Sequence, residues 1–251
     1  FLPYEQGYAL ACKNLSGRGA ERGESSDSFI EATHPQSQVV EASSKRVFFI
    51  VTPVFNGEQF IKKTLNSILL QSGDFFIDYY IKDAGSTDNT LKILNEYNDK
   101  IGSGNFPLKC LGIRFRVETS KDSGLYDALA RAFNNEAWGN GKENIQTYLN
   151  ADDIMSPNAL AIVSNVFDEL PARWVTGQIR VIDADDKLVV TPQFPLTFAR
   201  ADILDGLHDG RASYTIQQEG TFWLSGLYQE AGGINANLEL AGDFDLWRRF
   251  A

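Results

Sequence analysis

The 251-residue chain is 43% hydrophobic and 22% charged, enough to bury a sizeable core as one large or two small globular units. Its formal net charge of -10, with no lysine or arginine run, argues against nucleic acid or any polyanion held by general electrostatics. Apolar runs such as VFFIV at 47–51 are far too short to span a bilayer, no signal-peptide core is present, and Cys12 and Cys110 lack CxxC spacing, so a disulfide framework, a thiolate zinc centre and a membrane span are all unexpected and a reducing cytoplasm is the default setting.

Residues 1–44, rich in Gly, Ser, Glu and Arg, read as a linker or loosely attached extension. The chain begins at Phe1 and stops at Ala251 inside a helical pattern, so a processed or trimmed form is expected. A β-rich run at 46–52 meets Pro53, which turns the chain through VFNG into an amphipathic helix from about Glu58, with Phe60, Ile61, Leu65, Ile68 and Leu69 on one face. The strand ending at Asp83 follows, then the turn AGSTDNT and a helix through Leu91, Ile93 and Leu94. The pattern repeats with a strand at 111–118, the loop TSKDSG and a helix carrying Leu125, Ala128, Leu129, Ala132 and Phe133. A third unit passes from the loop WGNGKEN into the strand NIQTYLN, the pair Asp152-Asp153, and a helix from Pro157. This alternation predicts an α/β fold with a mostly parallel sheet and right-handed crossovers.

Beyond Pro171 the rhythm changes. WVTGQIRVID, ADDK and LVVT read as a β-hairpin; PQFP, a short helix near 198–204 and the run YTIQQEGTFW lead to a helix at 226–231, stopped by Gly232-Gly233. Asp243 or Asp245 opens a terminal helix bearing Phe244, Leu246, Trp247 and Phe250. His34 and His208 are isolated and read as surface or packing residues.

In an open α/β sheet, ligands bind outside the carboxyl ends of the strands, and those ends carry Thr52-Pro53, Asp83, the acidic loop 118–122, and Asp152-Asp153. Aspartates commonly end strands and cap helices, yet four polar strand ends in succession, three of them acidic, point to a site. Adjacent carboxylates are costly unless a cation lies between them, and Mg²⁺ or Mn²⁺ would take one or two while substrate phosphates and water complete its shell. Neighbours on an extended chain point opposite ways, so Asp152 is assigned to the metal and Asp153 to the sugar or a supporting hydrogen bond. No Walker A, G-x-G-x-x-G or EF-hand sequence is completed.

Five blocks, IVTPVFNGEQFIKKTLNSILLQ, IKDAGSTDNTLKIL, SKDSGLYDALARAF, YLNADDIMSPNAL and QQEGTFWLSGLYQEAGGINANLELAGDFDLW, together resemble the inverting family 2 glycosyltransferases of the GT-A fold, over 45–251. The resemblance implies a nucleotide-binding half at about 45–155 and an acceptor half at about 156–251. It implies transfer of a sugar from a nucleotide-diphosphate donor to a hydroxyl of a glycan or lipid-linked acceptor, with inversion and with Mn²⁺ or Mg²⁺. Thr52, Pro53, Phe55 and Asn56 match the nucleoside loop, Asp83 the base- or ribose-binding acid, and Lys121, Asp122, Tyr126 and Asp127 the corner around the nucleotide. Asn150-Ala151-Asp152 matches the D-x-D motif, with Asp152 the principal metal ligand and Asp153 beside it. Asp243 matches the general base, and Gln218, Glu219 and Trp223 the acceptor-side segment. Ala84 stands where Gly or Asp is usual, Leu224 where arginine is common, and the QxxRW signature of processive synthases is missing, so a single transfer per encounter is expected. A role in polysaccharide or glycoconjugate synthesis, at most peripheral at the inner face of a membrane, follows from the resemblance. Two other classes remain in view: a non-catalytic nucleotide-sugar or glycan-binding module of the same fold, and a sugar nucleotidyltransferase.

Overall fold

The computed structural model describes residues 27–38, 45–135, 141–183, 187–190, 197–209 and 214–251. Most of the N-terminal extension, Cys12, the loop WGNGKEN up to residue 140, the ADDK turn at 184–186 and the PQFP segment lie outside the described residues.

In chain order the strands are β1 (Ser28–Thr33), β2 (Arg46–Val54), β3 (Phe75–Asp83), β4 (Gly112–Thr119), β5 (Ile145–Tyr148), β6 (Trp174–Thr176), β7 (Val181–Ile182), β8 (Leu188–Val190) and β9 (Thr221–Leu224). The helices are α1 (Ile61–Leu69), α2 (Thr90–Gly102), α3 (Leu125–Phe133), α4 (Ala159–Glu169), α5 (Arg200–Leu204), α6 (Ser225–Glu230) and α7 (Gly242–Phe250), with a 3-10 turn at Gln218–Gly220. Seven strands form one sheet in the order β1-β4-β3-β2-β5-β9-β6. The central four are mutually parallel; β1 and β9 run antiparallel to them on either side, and β6, antiparallel to β9, closes the far edge in the same direction as the central four. The expected α/β architecture is therefore the observed one.

Alternation along the strands separates two cores. Phe48 and Ile50 of β2 and Ile77, Tyr79 and Ile81 of β3 face α1, α2 and α4, while Phe49, Val51 and Tyr80 face α3, α6 and α7. The second face is polar where β3 meets β4. The register sets Asp78 opposite Arg114, Tyr80 opposite Arg116 and Lys82 opposite Glu118. Asp78 accepts from Arg114 and Arg116 at 3.2 and 2.8 Å, the Arg116 guanidinium lies 4.7 Å from the Tyr80 ring centre, and Lys82 Nζ sits 3.6 Å from Glu118. Charges buried this deeply persist because each meets an opposite charge or a ring face.

Three local departures from the sequence reading have physical causes. Pro53 lies inside β2 rather than ending it, because pairing to β5 stops at Val51 and leaves the proline with no ladder partner to deprive on that side. Residues 28–33, placed within the N-terminal extension, form an edge strand on β4 with only Ala32 fully buried. The segment read as one hairpin divides: β6 joins the main sheet through β9, and only β7 and β8 pair with each other.

Candidate active site

The carboxyl ends of the parallel strands carry two groups of polar side chains. At β3 and β4, Asp83 is fully buried, and its carboxylate accepts from the amides of Gly85 and Ser86, both at 3.0 Å, and from the Ser86 hydroxyl. Lys82 Nζ donates to the backbone carbonyl and hydroxyl of Ser120 at 2.6 and 2.7 Å. Burial alone would raise the Glu118 carboxyl, but hydrogen bonds from Tyr80 and Ser120 and the charge of Lys82 outweigh it and hold it below the usual range. Asp122 accepts from the Gly124 amide at 3.1 Å and is raised, chiefly by burial.

Across the opening, Asn56 sits in the left-handed region at φ 52° and bridges two loops: its amide donates to Ser86 Oγ and its side-chain carbonyl accepts from the Thr87 amide, each at 2.8 Å. Thr52 is buried and shares a hydrogen bond with the Tyr79 hydroxyl, whereas Phe55 is exposed at the rim. Lys121 is exposed, and Asp127 turns back to pair with Arg131 at 2.8 Å.

The second group gathers at β5, the 3-10 turn and α7. Helix α1 fixes the loop after β5: Thr64 Oγ1 donates to Ala151 O at 2.7 Å, Ser67 Oγ accepts from the Met155 amide at 3.0 Å, and Gln71 Nε2 donates to Ser156 O at 2.9 Å. Asp152 is exposed on that loop and Asp153 half-buried. Burial, followed by the charges of Glu219 and Asp152, pushes the Asp153 carboxyl up to about 7, against a hydrogen bond with Asn150. Burial first, and then the charges of Asp243 and Asp152, raise Glu219 as well. Asp243 lies in the first turn of α7, accepts from the Tyr126 hydroxyl at 3.1 Å, and is raised by burial. Gly242 beside it is obligatory, since a Cβ there would sit 2.7 Å from the Tyr126 ring.

Helix α3 joins the two groups, with Asp122 and Gly124 at its start and Tyr126 reaching Asp243. Trp223, like Thr52, is a buried member of the expected set. It is fully buried, donates to Gln146 Oε1 at 2.9 Å and packs on Phe133, Tyr228 and Trp247, so it supports the site from beneath. The sequence reading missed Thr64, Ser67, Gln71 and Lys82, whose partners lie far along the chain.

Among the described residues no group of three or more His, Cys, Asp or Glu side chains is assembled to hold a metal unaided. Asp152 and Asp153 nevertheless suit a hard divalent cation shared with a diphosphate, which needs only one or two protein carboxylates. Burial chiefly, with the charges of Glu219 and Asp152 second, raises Asp153, and a cation beside the pair would favour its charged form. Without a cation, ionising Asp153 is a cost. The folded Asp153 carboxyl titrates at about 7 against 3.8 for a free aspartate, so between those pH values the folded state holds the extra proton and stability falls as pH rises. Asp153→Asn is accordingly expected to stabilise the metal-free chain by up to roughly 4 kcal/mol at about pH 8 and by little at about pH 4, as read from denaturant melts.

The strand order, with its acidic edge at the carboxyl ends, is that of an α/β fold of the GT-A kind. Solved structures share it. S. aureus TarS 1-349 in complex with UDP-GlcNAc matches at 17% identity and TM-score 0.59, over 80% of this chain and 52% of that one. TarS 1-349 alone matches at 18% and 0.57, over 81% and 54%. The mannosyltransferase PcManGT from Pyrobaculum calidifontis, in complex with GDP-Man and Mn²⁺, matches at 18% and 0.51, over 95% and 56%. Likeness at these identities establishes fold, and the chain spans about half the length of those proteins. A search of the curated proteins returns no match. The family model described as Glycosyl transferase family 2 matches residues 49–223, and the chain belongs to that family. No helix among the described residues is long and apolar enough to cross a membrane.

Proposed function

We propose that the chain transfers a sugar from a nucleoside diphosphate to an acceptor hydroxyl, with inversion, with a divalent cation, and once per encounter. The observation that carries this reading is the family match over residues 49–223 on a sheet whose β5 ends in the Asp152-Asp153 pair, with a second carboxylate, Asp243, held by the Tyr126 hydroxyl at the start of α7. The neighbours' ligands, UDP-GlcNAc and GDP-Man with Mn²⁺, support the donor class.

On this reading the nucleoside lies over Thr52, Pro53, Phe55, Asn56 and the loop held by Asp83, with Lys121, Asp122 and Tyr126 along its other side. Asn150, Ala151, Asp152 and Asp153 face the diphosphate. Asp152 would hold the cation with Asp153 beside it, and a cation there offsets charge on the departing diphosphate. Asp243 takes the proton of the attacking hydroxyl. Its burial makes it a stronger base than a free carboxylate, and the Tyr126 hydroxyl holds one of its oxygens in place. Attack from the side opposite the leaving group inverts the anomeric carbon. Glycans and lipid-linked sugars are the acceptor class, and with the latter the chain would meet a membrane only at its surface.

Asp152→Ala tests the donor side. It is expected to weaken Mn²⁺-dependent nucleotide-sugar binding at least tenfold in calorimetry. Equal affinity with and without chelator in the unmodified chain would defeat the assignment of Asp152 to a cation.

A further inference from the structure

The Gln218–Glu219 pair stands apart among the buried polar groups of the described residues. Gln218 is only 4% exposed, and neither its side-chain carbonyl nor its amide nitrogen has a partner at hydrogen-bond distance; Glu219 Oε2 is likewise buried and unpartnered. The Gln218 amide lies close enough to the Glu219 carboxylate to hold its pKa down against burial, so the two side chains are neighbours. Buried polar atoms left unmade are rare in folded proteins and commonly mark a place that something else completes.

The turn that presents them is firmly held. Thr221 Oγ1 donates to Gln217 O at 2.7 Å, Thr147 Oγ1 donates to Thr221 O at 2.8 Å, and the Gly177 amide donates to Gly220 O at 2.8 Å. A side chain on Gly220 would collide with the Gly177 carbonyl, its Cβ only 2.9 Å from that oxygen. A rigid backbone with unmet side-chain atoms is what a preorganised recognition site requires.

Resting on the transferase reading above, we propose that Gln218 and Glu219 read the hydroxyls of the sugar being transferred, and so select the donor rather than the acceptor. The chemistry of the pair excludes an anion, since a carboxylate repels phosphate. It suits a polyol: the carboxylate accepts from one hydroxyl, while the amide both donates to and accepts from its neighbour. The position selects the ring. The Thr147–Thr221 hydrogen bond ties the turn carrying the pair to the end of β5, which leads directly into Asp152, and Asp243 with its Tyr126 partner adds its charge to that of Glu219; on the transferase reading the group between the diphosphate and the attacking hydroxyl is the transferred sugar.

The test compares sugar nucleotides with sugar-free nucleotides. Calorimetry of UDP-glucose, UDP-galactose, UDP-GlcNAc and GDP-mannose, with UDP and GDP as controls and Mn²⁺ throughout, is run on the unmodified chain, Glu219→Gln and Gln218→Leu. Expected is at least a tenfold loss for the preferred sugar nucleotide in either variant, UDP or GDP affinity held within about twofold, and a narrowed preference between the epimers UDP-glucose and UDP-galactose. Unchanged sugar-nucleotide affinity, or an equal loss for nucleotide with and without sugar, overturns the assignment while leaving the transferase reading intact. If the unmodified chain binds none of the six, the transferase reading fails and this assignment with it. Should thermal melting show Gln218→Leu unfolded, the near-isosteric Glu219→Gln decides.

Discussion

Asp243→Asn is expected to lower turnover by about 10²- to 10⁴-fold, the range spanned by a positioned general base, while donor affinity stays within about twofold. Asparagine keeps the shape and the hydrogen bond from Tyr126, so the packing at the start of α7 is preserved and only the proton acceptor is removed. The pH profile gives a second readout. Burial holds the Asp243 carboxyl above its ordinary range, so in the unmodified chain activity falls as pH drops through that raised value, and the variant's residual rate should lack this acidic limb. Nucleoside diphosphate release in the presence of acceptor measures both. Turnover within a few-fold of the unmodified chain would remove Asp243 from the chemistry.

Trp223→Ala is expected to destabilise the fold by roughly 3–5 kcal/mol, much of the margin of an ordinary domain. The indole is fully buried on β9 among Phe133, Tyr228, Trp247 and Phe250, and its loss also leaves the buried Gln146 side chain without the donor it now accepts from. Denaturant midpoints should shift for the alanine variant and shift less for Trp223→Phe, which refills part of the volume. A variant with an unchanged midpoint and weakened sugar binding would mean that the indole faces the ligand.

These two residues show where sequence was informative. The periodic apolar positions of α1, α3 and α4 and the aspartates at strand ends were legible because both follow from local rules of burial and turn chemistry. Trp223 was not, because YTIQQEGTFW carries no alternation that distinguishes a half-exposed segment from a strand inserted between β5 and β6. Asp243 emerged from resemblance, and its Tyr126 partner, 117 residues away, leaves no trace in local pattern. The same holds for Thr64, Ser67 and Gln71, which look like the polar flank of an amphipathic helix until the loop at 150–156 is seen resting on them. The alternating D-x-Y-x-K of β3 and R-x-R-x-E of β4 were visible in the sequence, and their opposite signs could have paired the two strands.

That ladder has a bearing on engineering. Because Asp78, Lys82 and Tyr80 on one strand meet Arg114, Glu118 and Arg116 on the next, chimeras made to alter nucleotide preference must exchange β3 and β4 as a unit. A graft of either alone would seal ions into the interior opposite a foreign neighbour, and a register slip by one residue would carry all of them to the aliphatic side.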